Sequence, residues 1–101
     1  MNRSAVEVAG CKVSGEERLA AGSGGASALC AAIADARSSG TEPASVEVQI
    51  LSSSLMVASQ QLADGTRLPE VRTARSDRPL GARSFQMLAD ALAAQLRERR
   101  Q

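Results

Sequence analysis

Residues 45–51 alternate strictly between apolar and polar side chains, and this pattern constrains the fold more than any other feature of the chain. Successive side chains of a β-strand point to opposite faces, so the segment predicts a strand with one buried face and one solvated face. A sheet built from such strands needs cover on one face only. The inward positions are Val46, Val48 and Ile50, and the outward positions are Glu47 and Gln49.

Five further segments complete a predicted element order of β-α-β-β-β-α. Apolar residues at helical spacing predict two helices, one over residues 26–38 and one from Ala82 onward. Because two amphipathic helices can cover one face of a sheet, we expect an α+β fold. It would be a two-layer sandwich, with a mainly antiparallel sheet, both helices on one face and a single domain over residues 1–101. The remaining strands are expected at residues 5–13, 55–63 and 66–74.

Local signals refine this prediction. The alternation within residues 5–13 changes parity at Ala9-Gly10, which we interpret as a β-bulge at Gly10. Asp64-Gly65 is typical of a two-residue hairpin turn, so the last two strands should be antiparallel. Pro69 has no amide proton, so the strand at residues 66–74 should lie at a sheet edge, or Pro69 should face away from the ladder. The final helix should bury a stripe formed by Phe85, Leu88, Leu92 and Leu96.

The composition excludes most familiar catalytic and recognition chemistry. The chain contains no histidine, tryptophan or tyrosine, and Phe85 is its only aromatic residue. Without histidine it lacks the usual general base, the Ser-His and Cys-His nucleophile pairs and the commonest transition-metal ligand. With a single aromatic side chain, the protein cannot build the stacking platforms that bind single-stranded nucleic acid. We therefore expect a protein that is not an enzyme, with no metal, no cofactor and no membrane span.

Cys11 and Cys30 are the most informative pair of residues. Cys11 falls on the apolar face of the first strand and Cys30 on the apolar stripe of the first helix, so the two can meet. They are either buried free thiols, which behave as small hydrophobes, or a disulfide that ties the helix to the sheet. We favour the disulfide. It implies a periplasmic or secreted protein whose signal peptide has been removed, whereas free cysteines would imply a cytoplasmic one.

Arginines are concentrated near the predicted edge strand. Residues 1–65 carry four Lys/Arg and seven Asp/Glu, a net charge of −3, whereas residues 66–101 carry eight and four, a net charge of +4. A basic strip at this position could contact an acidic partner or phosphates. The alternative, which we favour, is that these side chains only solvate an edge. The candidate partner-binding residues are Arg67, Arg72, Arg75 and Arg78.

Two other motifs carry weaker signals. The glycine-rich residues 22–27 suggest a phosphate-binding loop at a helix N-terminus, but neither the dinucleotide pattern nor a P-loop is complete. We interpret this stretch as a flexible connector. Glu47 and Glu70 could form a carboxylate pair on neighbouring strands, although solvated ions are the default on a polar face.

Residues 46–52, 62–70 and 76–78, followed by the final helix, resemble short uncharacterised exported proteins of high-GC Gram-negative bacteria. The resemblance implies a periplasmic or envelope location. Our leading hypothesis is a small non-enzymatic domain there that binds another protein or itself, with a homodimer formed through the edge strand. The alternative is a cytosolic binding module that uses Arg67, Arg72, Arg75 and Arg78 for an acidic partner or nucleic acid.

Overall fold

The computed structural model describes residues 5–8, 10–36, 44–76 and 78–99. It confirms the α+β fold. Two short 3₁₀ turns, Glu16–Arg18 and Ala21–Ser23, lead into the first helix. The regular elements are β1 (Ala5–Val8), β2 (Cys11–Ser14), α1 (Gly25–Ala36), β3 (Ala44–Ser52), β4 (Leu55–Leu62), β5 (Val71–Ala74) and α2 (Ala82–Arg99).

The five strands form one sheet in the order β1-β2-β3-β4-β5. Only β2 and β3 are parallel, and α1 makes the crossover between them. All other neighbours are antiparallel. Both helices pack against each other and against one face of the sheet, as predicted, because each has an apolar stripe to bury. The opposite face of the sheet is therefore left to solvent.

The prediction of one bulged strand over residues 5–13 is wrong. The segment forms two strands, and β1 pairs antiparallel with β2 from Ala5 opposite Ser14 to Val8 opposite Cys11. Gly10 has φ +82°, a left-handed conformation that favours glycine in a tight chain reversal. A bulge and a tight turn both change the parity of an alternating pattern, so the parity alone could not distinguish them.

The prediction of a hairpin at Asp64-Gly65 is confirmed, with one more residue in the loop than expected. The amide of Leu62 donates to the carbonyl of Thr66 at 2.8 Å, and the amide of Gly65, with φ +94°, donates back to Leu62 at 2.9 Å. This is a three-residue loop with glycine in the left-handed position. The strand that follows is interrupted near Pro69: Arg67 makes an isolated bridge to Gln61, and only β5 continues the pairing. As predicted, β5 lies at a sheet edge.

A buried glutamine joins the sheet to the second helix. The side chain of Gln60 on β4 is 1% exposed, and its Nε2 donates to the carbonyl of Leu92 and to Oε1 of Gln95, both at 3.0 Å. Gln95 in turn donates to the carbonyl of Pro69 at 2.8 Å. Because a buried amide is costly unless it is hydrogen-bonded, these bonds fix where α2 lies on the sheet. The predicted α2 stripe is buried, at 0–1% exposure for Phe85, Leu88, Leu92 and Leu96.

Candidate functional site

The face of the sheet opposite the helices, which we call the open face, collects most of the polar side chains of the strands. Residues paired across neighbouring strands point to the same face, so the register decides its membership. Lys12 pairs with Glu47, which pairs with Ser59, and Gln61 pairs with Arg67. The open face is defined by Lys12, Glu47, Gln49, Ser59, Gln61, Arg67, Glu70 and Arg72.

Two adjoining depressions mark the open face. The larger has a volume of about 270 Å³ and is lined by Lys12, Glu47, Ser59 and Arg67, among others. The smaller has a volume of about 90 Å³ and is lined by Glu47, Arg67 and Glu70, among others. Glu47 and Arg67 therefore border both. The two carboxylates that the sequence suggested as a pair do lie at one depression, with a cation beside them.

The charges of the open face are of both signs and are exposed to solvent. Lys12, Arg67 and Arg72 are positive, and Glu47 and Glu70 are negative. Within the part of the chain that the structure describes, no ion pair joins any two of these five side chains. Each charge is thus solvated, and it can pair with an opposite charge on a partner without breaking an existing contact.

The four candidate arginines divide between two places. Arg67 and Arg72 both lie on the open face and are exposed. Arg75 is half-buried just beyond β5, where its amide donates to the carbonyl of Ser54 at 2.9 Å. Arg78 is exposed in the connector to α2. The predicted basic strip is therefore interrupted, and only its first two members share a surface with the depressions.

Cys11 and Cys30 lie behind the open face. Their Cα atoms are 5.9 Å apart, and their sulfur atoms are joined in the disulfide that the sequence favoured. The two residues are only 6% and 5% exposed. Cys11 begins β2 and Cys30 lies within α1, so the bond ties the strand that carries Lys12 to the helix layer beneath it.

The glycine-rich stretch before α1 has its amides directed at groups of the chain itself. The amide of Ala26 donates to Oε2 of Glu16 at 2.9 Å, and the amide of Gly25 donates to the hydroxyl of Ser23 at 3.2 Å. A carboxylate at a helix N-terminus satisfies free amides and interacts favourably with the helix dipole. The position where a phosphate would bind thus holds the carboxylate of Glu16.

Sequence reasoning identified Arg67 and Arg72 but did not assign Lys12, Ser59 or Gln61 to any site. The alternating pattern predicted that Lys12 points outward, but β4 reads LMVASQQL, and this sequence does not alternate. No local signal therefore separated Ser59 and Gln61 from the buried Gln60 between them, and none shows which residues of different strands become neighbours. The register between strands decides this, and the register depends on contacts between distant parts of the chain.

Comparisons with known proteins add nothing to this geometry, since no family model, no curated protein and no solved structure matches the chain. Among the described residues, no group of three His, Cys, Asp or Glu side chains is placed to hold a metal ion. No described helix is long and apolar enough to cross a bilayer.

Proposed function

We propose that the protein is a small non-enzymatic domain that binds another protein through its open face and works in an oxidising compartment, the periplasm or cell envelope. One observation carries the proposal: five exposed charges of both signs share this face without pairing with one another. Complementary charges across a protein interface set the orientation and the choice of partner.

The shape of the face favours a protein over a small molecule. Sites for small molecules are concave and mostly apolar, because they must bury most of the ligand. The depressions here lie on a sheet surface and are bordered by exposed polar residues such as Lys12, Glu47 and Arg67. Interfaces between proteins that also exist apart are about as polar as the rest of a protein surface, so a polar face is compatible with such a contact.

The face is also a better contact surface than the β5 edge. The β5 strand has four residues, it follows the irregular segment around Pro69, and it carries the exposed Arg72. Short edge strands, prolines and charged side chains are features by which proteins prevent edge-to-edge pairing. A homodimer through this edge stays a prediction, with less support than a contact through the open face.

Photo-crosslinking from two exposed glutamines tests the proposal. A photoreactive residue in place of Gln61, on the open face, should give a discrete protein adduct in cells. The same replacement of Gln86, on the solvent side of α2, is the matched control and should not. The Gln61 adduct should disappear when Arg67→Glu and Arg72→Glu are introduced together.

The mass of the adduct identifies the partner class. An adduct of twice the chain mass would assign the open face to a second copy, and a larger discrete adduct would assign it to a different protein. Identical adducts from both positions, or none from Gln61, would contradict the proposal, because the open face would then make no selective contact.

The cytosolic alternative has one observation in its favour, the exposure of Arg67 and Arg72 on the same face. Glu47 and Glu70 both border the smaller depression beside Arg67 and would repel phosphates there. Two measurements separate the hypotheses. Alkylation under denaturing conditions should find no free thiol in protein taken directly from cells, and a labelled DNA duplex should show no tight binding. Two free thiols, or duplex binding that falls steeply between about 50 and 200 mM salt, would favour the alternative.

A further inference from the structure

The β1–β2 hairpin lies at one end of the sheet, and β2 pairs with four residues of the nine-residue β3. The buried side chains that β2 contributes to the core are Cys11 and Val13. One of these two is the residue that carries the disulfide. The covalent bond is therefore one of the two buried side-chain attachments of β2 to the core.

The two ends of β2 are held in different ways. Beyond Ser14, Gly15 packs against the carbonyl group of Ile50, and Arg18 Nη1 donates to that carbonyl oxygen at 3.3 Å. At the other end, the amide of Val46 donates to the carbonyl of Gly10 at 2.8 Å, next to the disulfide. The end that bears Cys11 thus depends on one backbone bond beyond the regular pairing and on the disulfide.

Most of the described core residues lie outside the hairpin. Leu29 and Ile33 of α1 and Leu88 of α2 are buried in the same cluster as Val48 and Ile50 of β3. The Gln60 side chain bonds the sheet to α2 on the far side from β2. None of these contacts is made by β2, although α1 also contacts β1. Local opening of weakly attached segments below the global unfolding limit is general in proteins.

We propose that the Cys11–Cys30 disulfide is a redox-controlled latch for the β1–β2 hairpin. While the bond is intact, β2 cannot leave the sheet, because Cys11 is tied to the core side of α1. When the bond is reduced, the hairpin detaches while β3, β4, β5 and both helices stay folded. Detachment exposes the edge of β3, the longest strand of the sheet.

The reduction requires a dithiol as the co-reactant. One of its thiolates attacks a sulfur of the Cys11–Cys30 bond and forms a mixed disulfide, which releases the other cysteine as a thiolate that takes up a proton. The second thiol of the reagent then displaces the remaining cysteine. The dithiol becomes a cyclic disulfide, and Cys11 and Cys30 gain two electrons and two protons as thiols.

Lys12 makes the latch directly testable, because it is the only lysine in the chain. A lysine-specific endoprotease can cut only after this residue, and it needs the surrounding strand to leave the sheet. We expect the oxidised protein to resist cleavage. After treatment with dithiothreitol, the rate of cleavage should rise at least about tenfold, since loss of the cross-link shifts the opening equilibrium by that much or more.

The double variant Cys11→Ala/Cys30→Ala should behave as the reduced protein does. If the variant is cleaved but dithiothreitol fails to reduce the native bond, the disulfide is a fixed clamp and redox control is contradicted. A Gln49→Lys change in the middle of β3 supplies an internal control. Cleavage after residue 49 should stay slow in every state, because β3 keeps its pairing with β4.

Three further results would overturn the latch. If Lys12 stays protected in the double variant while residue 49 is also protected, the hairpin holds without the disulfide. If both sites become cleavable together, or the double variant does not fold, the disulfide supports the whole domain and not the hairpin alone. Neither result bears on partner binding by the open face, which is a separate proposal.

Discussion

Leu92→Ala is expected to lower the free energy of unfolding by about 2–5 kcal/mol. Leu92 is fully buried in the α2 stripe and belongs to the hydrophobic core between the helices and the sheet. The change removes buried methyl groups and leaves a cavity, and its cost depends on how far the neighbours can move inward. Large movement is opposed at this site, because Gln60 bonds the backbone of the same residue.

Urea unfolding followed by far-ultraviolet circular dichroism measures this change, since Phe85 is the only aromatic residue available for an optical signal. Met87→Ala is the matched control. Met87 lies on the same helix and is 51% exposed. Its replacement by alanine should change the free energy of unfolding by less than about 0.5 kcal/mol. A near-neutral Leu92→Ala would mean that the stripe is exposed in solution and belongs to a partner interface.

Gly15→Ala is expected to cost a similar amount, roughly 2–5 kcal/mol, from two separate causes. Gly15 has φ +82°, a left-handed conformation that costs an alanine about 1–2 kcal/mol. A β-carbon at this position would also overlap the carbonyl oxygen of Ile50, so the turn after β2 or the end of β3 must move. Forced displacement in a packed region costs about 1–3 kcal/mol.

Gly10→Ala separates the two causes. Gly10 has the same φ of +82°, but nothing lies within 4 Å of the position that a β-carbon would occupy. Its cost should be the backbone strain alone, about 1–2 kcal/mol. Thermal and urea unfolding of both variants give the comparison. Equal losses at the two glycines would show that Ile50 moves away without penalty, and the close packing at Gly15 would then contribute nothing to stability.

The elements that the sequence predicted well are those whose signal is local. The alternation at Val46, Val48 and Ile50 and the stripe at Leu88 and Leu92 each lie within one element. Period two and period 3.6 follow from the geometry of a single strand or helix, whatever surrounds it. Burial of one face then required the helices to share a side of the sheet. The α+β layering followed from these patterns.

The errors arose where one local pattern is compatible with two backbone paths. The parity change at Gly10 fits a bulge or a turn, and the structure has a turn. The strand expected over residues 66–74 is interrupted, because the chain cannot keep regular pairing through Pro69. In both cases the choice depends on which strand lies alongside, and that neighbour is distant in the sequence.

By itself, the sequence determined the two helices and the strands with one apolar face. It also placed Cys11 and Cys30 on apolar faces that could meet, and its lack of histidine excluded catalysis or metal binding by imidazole. These properties depend on composition and on periodicities within single elements. Only the tertiary structure decided that Lys12, Glu47 and Arg67 share one surface and that Arg75 does not join them there. The reason is physical: membership of a sheet face depends on the register between strands, and a shift of one residue would send every side chain of a strand to the opposite face.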